Sequence, residues 1–154
     1  MFVNLFVFQE EKDIQYDKEA LFRTLADYSQ DYWDYIEEPT DKHFKIFDAF
    51  DYLMETYSDI LECEDEENLT FNISKSSIYD FLEKSKGSKV LDTTFFDDFF
   101  YLKKDDAYEE SHPVQGIENL LIEEIIAPDS FSSEEGSGNE KVTLKLIDIY
   151  DVHI

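Results

Sequence analysis

Thr40–Glu62 reads TDKHFKIFDAFDYLMETYSDILE, and the alternation of apolar and acidic residues along it sets the fold class. Ile46, Phe47, Phe50, Leu53, Met54, Tyr57, Ile60 and Leu61 recur every three or four residues. At about 100° of rotation per residue they share one broad face. That spacing predicts a helix over Asp41–Glu62, capped by Thr40, with Ile46, Phe47, Phe50, Met54 and Tyr57 buried together. Asp41, Asp48, Asp51, Glu55, Asp59 and Glu62 fall in a narrow sector opposite. Residues 48–68 carry nine carboxylates and no Lys or Arg.

Upstream, Asp17 stands at an N-cap position before Leu21, Leu25, Tyr28, Tyr32 and Ile36, which predicts a helix over Lys18–Ile36 ended by Pro39. It would carry a second acidic row, Asp27, Asp31, Asp34 and Glu38, at spacings of four, three and four. Phe2–Phe8 reads as a buried strand, Leu69–Ile73 as a short strand and Lys141–His153 as an alternating strand. Ser77–Lys86 reads as a short helix closed by Gly87. Glu64–Glu67 reads as a solvated loop, and residues 129–140 as a flexible one. Residues 90–103 and 117–127 fit helix and strand equally. The expected architecture is a single α+β domain over residues 1–154. It has an N-terminal strand, two amphipathic acidic helices and then a mostly antiparallel sheet.

The 154 residues contain 38 Asp and Glu against 13 Lys and Arg, a formal net charge of −25. Solubility needs only about 2–8 charges on a small domain, and self-repulsion destabilises the compact state. A solvated helix face ordinarily mixes signs, since Glu–Lys pairs at i,i+4 each add about 0.2–0.5 kcal/mol. Both acidic rows forgo that gain and accept like-charge repulsion. Uniform acidity would scatter charge, whereas this charge is striped. The pattern implies a basic protein partner.

Motifs that would carry chemistry are missing. His43, His112 and His153 lie far apart, the single Cys63 has no neighbouring base, and four glycines allow no phosphate-cradling loop. The expectation is a non-enzymatic protein with no cofactor, no metal and no catalytic residue. Direct nucleic-acid binding is disfavoured by the field of the whole chain. No apolar run approaches the roughly 20 residues of a membrane helix, and Met1–Glu11 lacks a basic n-region and a cleavage site. A cytoplasmic location is therefore expected.

Candidate partner-binding residues are Asp27, Asp31, Trp33, Asp34 and Glu38 on the first helix, and Asp48, Asp51, Glu55, Asp59 and Glu62 on the second. Trp33 is the expected aromatic anchor, because Trp and Tyr dominate tight interfaces. In size and charge pattern the chain is similar to immunity proteins that neutralise nuclease toxins. It is also similar to phage-encoded nucleic-acid mimics that block restriction or CRISPR nucleases. No motif specific to either group is present. The likeness implies an inhibitor of a basic nuclease, with immunity protein (antitoxin) preferred and the mimic as alternative. An acidic adaptor subunit of a larger complex is a third reading, and it requires an exposed apolar patch beside the acids.

Overall fold

Phe2–Glu10 forms a strand, β1, with apolar side chains on both of its faces, and the rest of the chain is arranged to cover them. The computed structural model describes residues 2–10, 18–27, 33, 35–39, 41–87, 98–103, 113–126 and 141–153. After β1 come α1 (Lys18–Asp27), β2 (Tyr35–Glu37), α2 (Lys42–Thr56), β3 (Leu61–Asp65) and β4 (Thr70–Ser74). Then follow α3 (Lys75–Gly87), β5 (Phe99–Lys103), β6 (Val114–Gln115), α4 (Ile117–Asn119) continuing as a π-helix over Leu120–Ile126, and β7 (Lys141–His153).

The described strands make one seven-stranded sheet in the order β3-β4-β7-β1-β5-β6, with β2 paired to the end of β7 that β4 does not cover. β1 runs parallel to β5, and the other described pairs are antiparallel. The protein is thus an α+β fold on a mixed sheet.

Alternation along β1 sends Val3, Leu5 and Val7 to one face and Phe6 and Phe8 to the other. On the Phe face, α2 contributes Ala49, Phe50 and Leu53, α3 contributes Ile78, and the α4 segment contributes Ile117, Leu120, Leu121 and Ile125. On the Val/Leu face, α1 contributes Leu21 and Leu25, joined by Trp33, Tyr101 and Tyr150. The two N-terminal helices therefore lie on opposite faces of the sheet and are separated in sequence by β2. The expected uninterrupted succession of two helices and then the sheet is corrected on this point.

A one-residue bulge in β7 serves both faces. Val7 pairs with Asp148 but Phe8 pairs with Leu146, so Ile147 is the extra residue. Before it Val142, Leu144 and Leu146 face the larger core; beyond it Ile149 does, while Tyr150 and Val152 turn to the other. A shift of one residue exchanges the faces. Asp148, buried at the bulge, accepts hydrogen bonds from the Ile149 N–H at 2.9 Å and the Tyr150 hydroxyl at 2.7 Å.

Both long helices predicted from the sequence are shorter here. The described part of the first ends at Asp27; Trp33 forms an isolated bridge, and Tyr35–Glu37 pairs with Asp151–His153. β4 covers β7 only over Lys141–Lys145, which leaves its far end open. Aromatic and β-branched residues such as Tyr35 and Ile36 fill that edge better than they extend a helix. The second helix ends at Thr56, with the Tyr57 N–H still bonded to the Leu53 carbonyl at 2.9 Å. Ser58 and Asp59 compete with helical hydrogen bonding, and Leu61 enters the sheet opposite Ile73.

The short strand stands as Thr70–Ser74, the short helix as Lys75–Gly87 and the last strand at its expected bounds. Of the two ambiguous stretches, Phe99–Lys103 is strand and Ile117–Ile126 is helical. Residues 129–140 lie outside the described residues.

Phe50 is 3% exposed and stacks on Phe71 with ring centroids 4.4 Å apart. Phe50→Ala should cost about 3–5 kcal/mol, the usual penalty for emptying a large aromatic site. Denaturant unfolding checks this: the midpoint should fall with an unchanged slope, and a near-native midpoint would contradict the packing described.

Candidate protein-interaction surface

Helix α2 meets the sheet along an arc defined by Ala49, Phe50 and Leu53. Rotation by about 100° per residue places Asp48, Asp51 and Glu55 opposite that arc, and all three are exposed. None of them makes a hydrogen bond or ion pair with a described residue. Side chains at this spacing stand about 5–6 Å apart. Phe47 and Tyr52 flank the row, each 41% exposed. The expected burial of Phe47 is corrected: Ala49 is the residue that completes the buried arc, and Phe47 lies well outside it. Ile46, Met54 and Tyr57 are partly buried against the core, as the periodicity predicts.

The rest of this row leaves the helix. Asp59 is exposed in the turn after α2, and Glu62 is exposed on β3, where it meets the Lys141 ammonium at 3.4 Å. Asp41 takes a left-handed conformation, φ 57°, just before the helix.

The first predicted row is not one helical stripe. Asp27 is exposed at the end of α1. Glu38 follows β2 and pairs with Lys18 at 3.2 Å. Asp31 and Asp34 lie outside the described residues. Trp33, expected as the aromatic anchor of an interface, is 3% exposed and packs edge-on against Phe99 at 5.3 Å. Its large apolar surface closes the Val/Leu face of the sheet, so it is a core residue in this fold.

Beside the acidic face lies a cavity of about 160 Å³. Its floor is the sheet: Asn4, Phe6 and Ile149, the last two being direct cross-strand partners. Its wall is one stripe of α2, Lys45, Asp48, Ala49 and Tyr52. The small side chain of Ala49 leaves the space open. The Tyr52 ring stacks on Phe6, centroids 5.9 Å apart and 15° from parallel, and its hydroxyl donates to Asp98 Oδ2 at 2.9 Å. No sequence periodicity revealed this cavity, because it needs residues 4, 49 and 149 brought together.

The chain matches no known protein family, no curated protein and no solved structure.

The acidic run ends in the β3–β4 hairpin rather than in the solvated loop predicted over Glu64–Glu67. Glu64 and Asp65 belong to β3, and the turn spans Glu66–Leu69. Leu69 adopts φ 56°, a left-handed conformation that costs a non-glycine residue about 1–2 kcal/mol. Its burial at the edge of the core offsets that cost, since burying a leucine contributes about 1.5–3 kcal/mol. Slight desolvation, then the carboxylates of Glu66, Asp65 and Glu64, hold the exposed Cys63 thiol above its ordinary value. It is thus a poor nucleophile. Among the described residues no three His, Cys, Asp or Glu side chains are grouped to hold a metal ion, and no helix is long and apolar enough to cross a membrane.

Asp65 organises this turn. The Asn68 side-chain amide, and the backbone N–H groups of Asn68 and Glu67, donate to its carboxylate. Those bonds, the Asn68 amide foremost, hold its pKa below the ordinary 3.8. A carboxylate with a lowered folded-state pKa stabilises above its unfolded pKa, and that contribution disappears as pH falls through the folded value. Asp65→Ala should therefore lower the melting temperature at pH 7. The difference from wild type should shrink as pH is taken below 3.8, measured by circular dichroism melts of both proteins. A difference that persists at pH 2 would show that the carboxylate's charge is not what matters.

Proposed function

We propose that this chain is a non-enzymatic inhibitory protein that presents α2 to the basic, nucleic-acid-binding or catalytic surface of a partner protein. The preferred setting is an immunity protein for a nuclease toxin. The observation that carries the reading is the outer face of α2: three exposed carboxylates without ion-pair partners among the described residues, flanked by two exposed aromatic rings.

Energetics strengthen it. The charges of α2 run against its dipole, with Lys42 and Lys45 near the N-terminus and Glu55 in the last turn. Charges matched to the dipole would each be worth about 0.3–1 kcal/mol. Asp51 and Glu55, one helical turn apart, also repel each other. Local stability alone would favour a lysine at position 55 opposite the acid at Asp51. A basic partner reverses that balance, because complementary charge steers encounter and suppresses wrong partners.

The adaptor reading requires a contiguous apolar patch beside the acids, and Phe47 and Tyr52, exposed on opposite sides of the acidic row, do not join into one. The two readings differ in outcome: an inhibitor abolishes its partner's activity at one equivalent, whereas an adaptor joins a complex that stays active.

The test is the double substitution Asp51→Lys with Glu55→Lys. It should raise stability by a few tenths of a kcal/mol, from a better match to the dipole at position 55 and an opposite-charge pairing of position 51 with Asp48, while the two lysines repel each other as the two acids did. The same protein should lose inhibition of a basic nuclease captured from the native host. Wild-type affinity should fall steeply with salt, since exposed charges act through a field screened over about 8 Å at 0.15 M. A matching change at Asp31 and Asp34 should weaken binding less. Full inhibition by the Asp51/Glu55 variant would remove α2 from the interface.

A further inference from the structure

Resting on the reading that α2 faces a basic partner, we infer that the cavity between α2 and the sheet is the receptor for a single arginine side chain of that partner. Size comes first. About 160 Å³ is well below the roughly 300–1,000 Å³ of small-molecule sites. The cavity suits one long side chain rather than a cofactor.

Its chemistry is that of an arginine site. Phe6 and Ile149 are buried beneath the site, and the apolar surface open to a methylene stem is that of Ala49 and the Tyr52 ring. Tyr52 offers an exposed ring, fixed by its stack on Phe6 and by the hydrogen bond to Asp98, on which a planar guanidinium can lie. Asp48 supplies a carboxylate without an ion-pair partner among the described residues, and the half-buried Asn4 amide is likewise without a hydrogen bond to them. A guanidinium has five donors in a fixed fork, which matches a carboxylate and an amide oxygen together. A lysine ammonium would use the carboxylate but neither the ring plane nor the fork.

Lys45 also lines the cavity, and it is the group that opposes a cationic occupant. It is exposed and forms no ion pair with a described residue, so its stem is free to swing to solvent. The surrounding charge decides the sign: Asp48, Asp51 and Glu55 stand on the same helix and Asp98 is bound to Tyr52. The arrangement therefore makes a specific prediction. Removing Lys45 should strengthen binding of a cation and would weaken binding of an anion.

The experiment titrates the isotope-labelled full chain with capped Gly-Arg-Gly and Gly-Lys-Gly peptides and with acetate, following the Asn4 amide, Tyr52 ring and Ile149 methyl resonances. The arginine peptide should move all three saturably, and bind on the order of threefold more tightly than the lysine peptide. Lys45→Ala should tighten it. Ala49→Leu, which fills the space, should abolish it, and Tyr52→Ala should erase the preference for arginine while leaving the fold intact. Equal, unsaturable shifts confined to Asp51 and Glu55 would overturn the cavity site and leave the docking face standing. Weaker arginine binding in Lys45→Ala, or saturable binding of acetate, would also overturn it. No response to either peptide at any residue would overturn both readings.

Discussion

Because β1 is apolar on both faces, it has to lie inside the sheet and be covered above and below, and that constraint organises everything else. Leu5, Phe6 and Val7 are wholly buried in succession, so over this central stretch neither face of the strand is available to solvent. An antiparallel neighbour alone would not suffice. β1 is flanked by β7 on one side and by β5, running parallel, on the other. A parallel partner must return by a long connection, and α1, β2, α2, the β3–β4 hairpin and α3 all lie within it. The crossover supplies the covering layers, with α1 going to one face and α2 and α3 to the other.

The long strand β7 has the complementary difficulty. Of its thirteen residues, Leu144–His153 run beside β1, and the core contacts switch from one register to the other part-way along. The extra residue at Ile147 makes the change, and Asp148 binds the backbone of the next residue there. A buried carboxylate needs donors, and it receives one from the backbone and one from Tyr150. Exactness of register is thus secured at a single irregular point, with regular pairing on either side.

How much of this was legible in the sequence depends on what each segment packs against. α2 over most of its length and β7 carry strong periodicity, whereas β1, β4 and α3 carry shorter signals in composition and punctuation, and all five begin within two residues of where those signals put them. The two helix ends were misread for one reason. Ile60 and Leu61 fit the apolar face of a continued helix, but they are buried equally well when Leu61 pairs with Ile73. Ile36 is ambiguous in the same way, and the open edge of β7 decides it. Local pattern records that a residue is buried, and not which element buries it. Asp48, Asp51 and Glu55 kept their shared face because they lie within the true helix. Trp33 shows the converse: with only its neighbours in view it sits among acids, yet the sheet beneath α1 needs a large ring there.

The acidic face and the fold's stability are therefore separable. α2 gains nothing from the order of its charges and has no side-chain hydrogen bond at its N-cap. Its attachment comes from Ala49, Phe50 and Leu53 against the Phe face of the sheet, reinforced by the stack of Phe50 on Phe71. Burial of this kind contributes about 1.5–3 kcal/mol per large side chain, several times the repulsion within the row at a few tenths of a kcal/mol per pair. The helix can hold like charges outward because its inward face is strong enough to carry them. The same inward face, narrowed at Ala49, leaves the cavity directly beneath the rim of that charge.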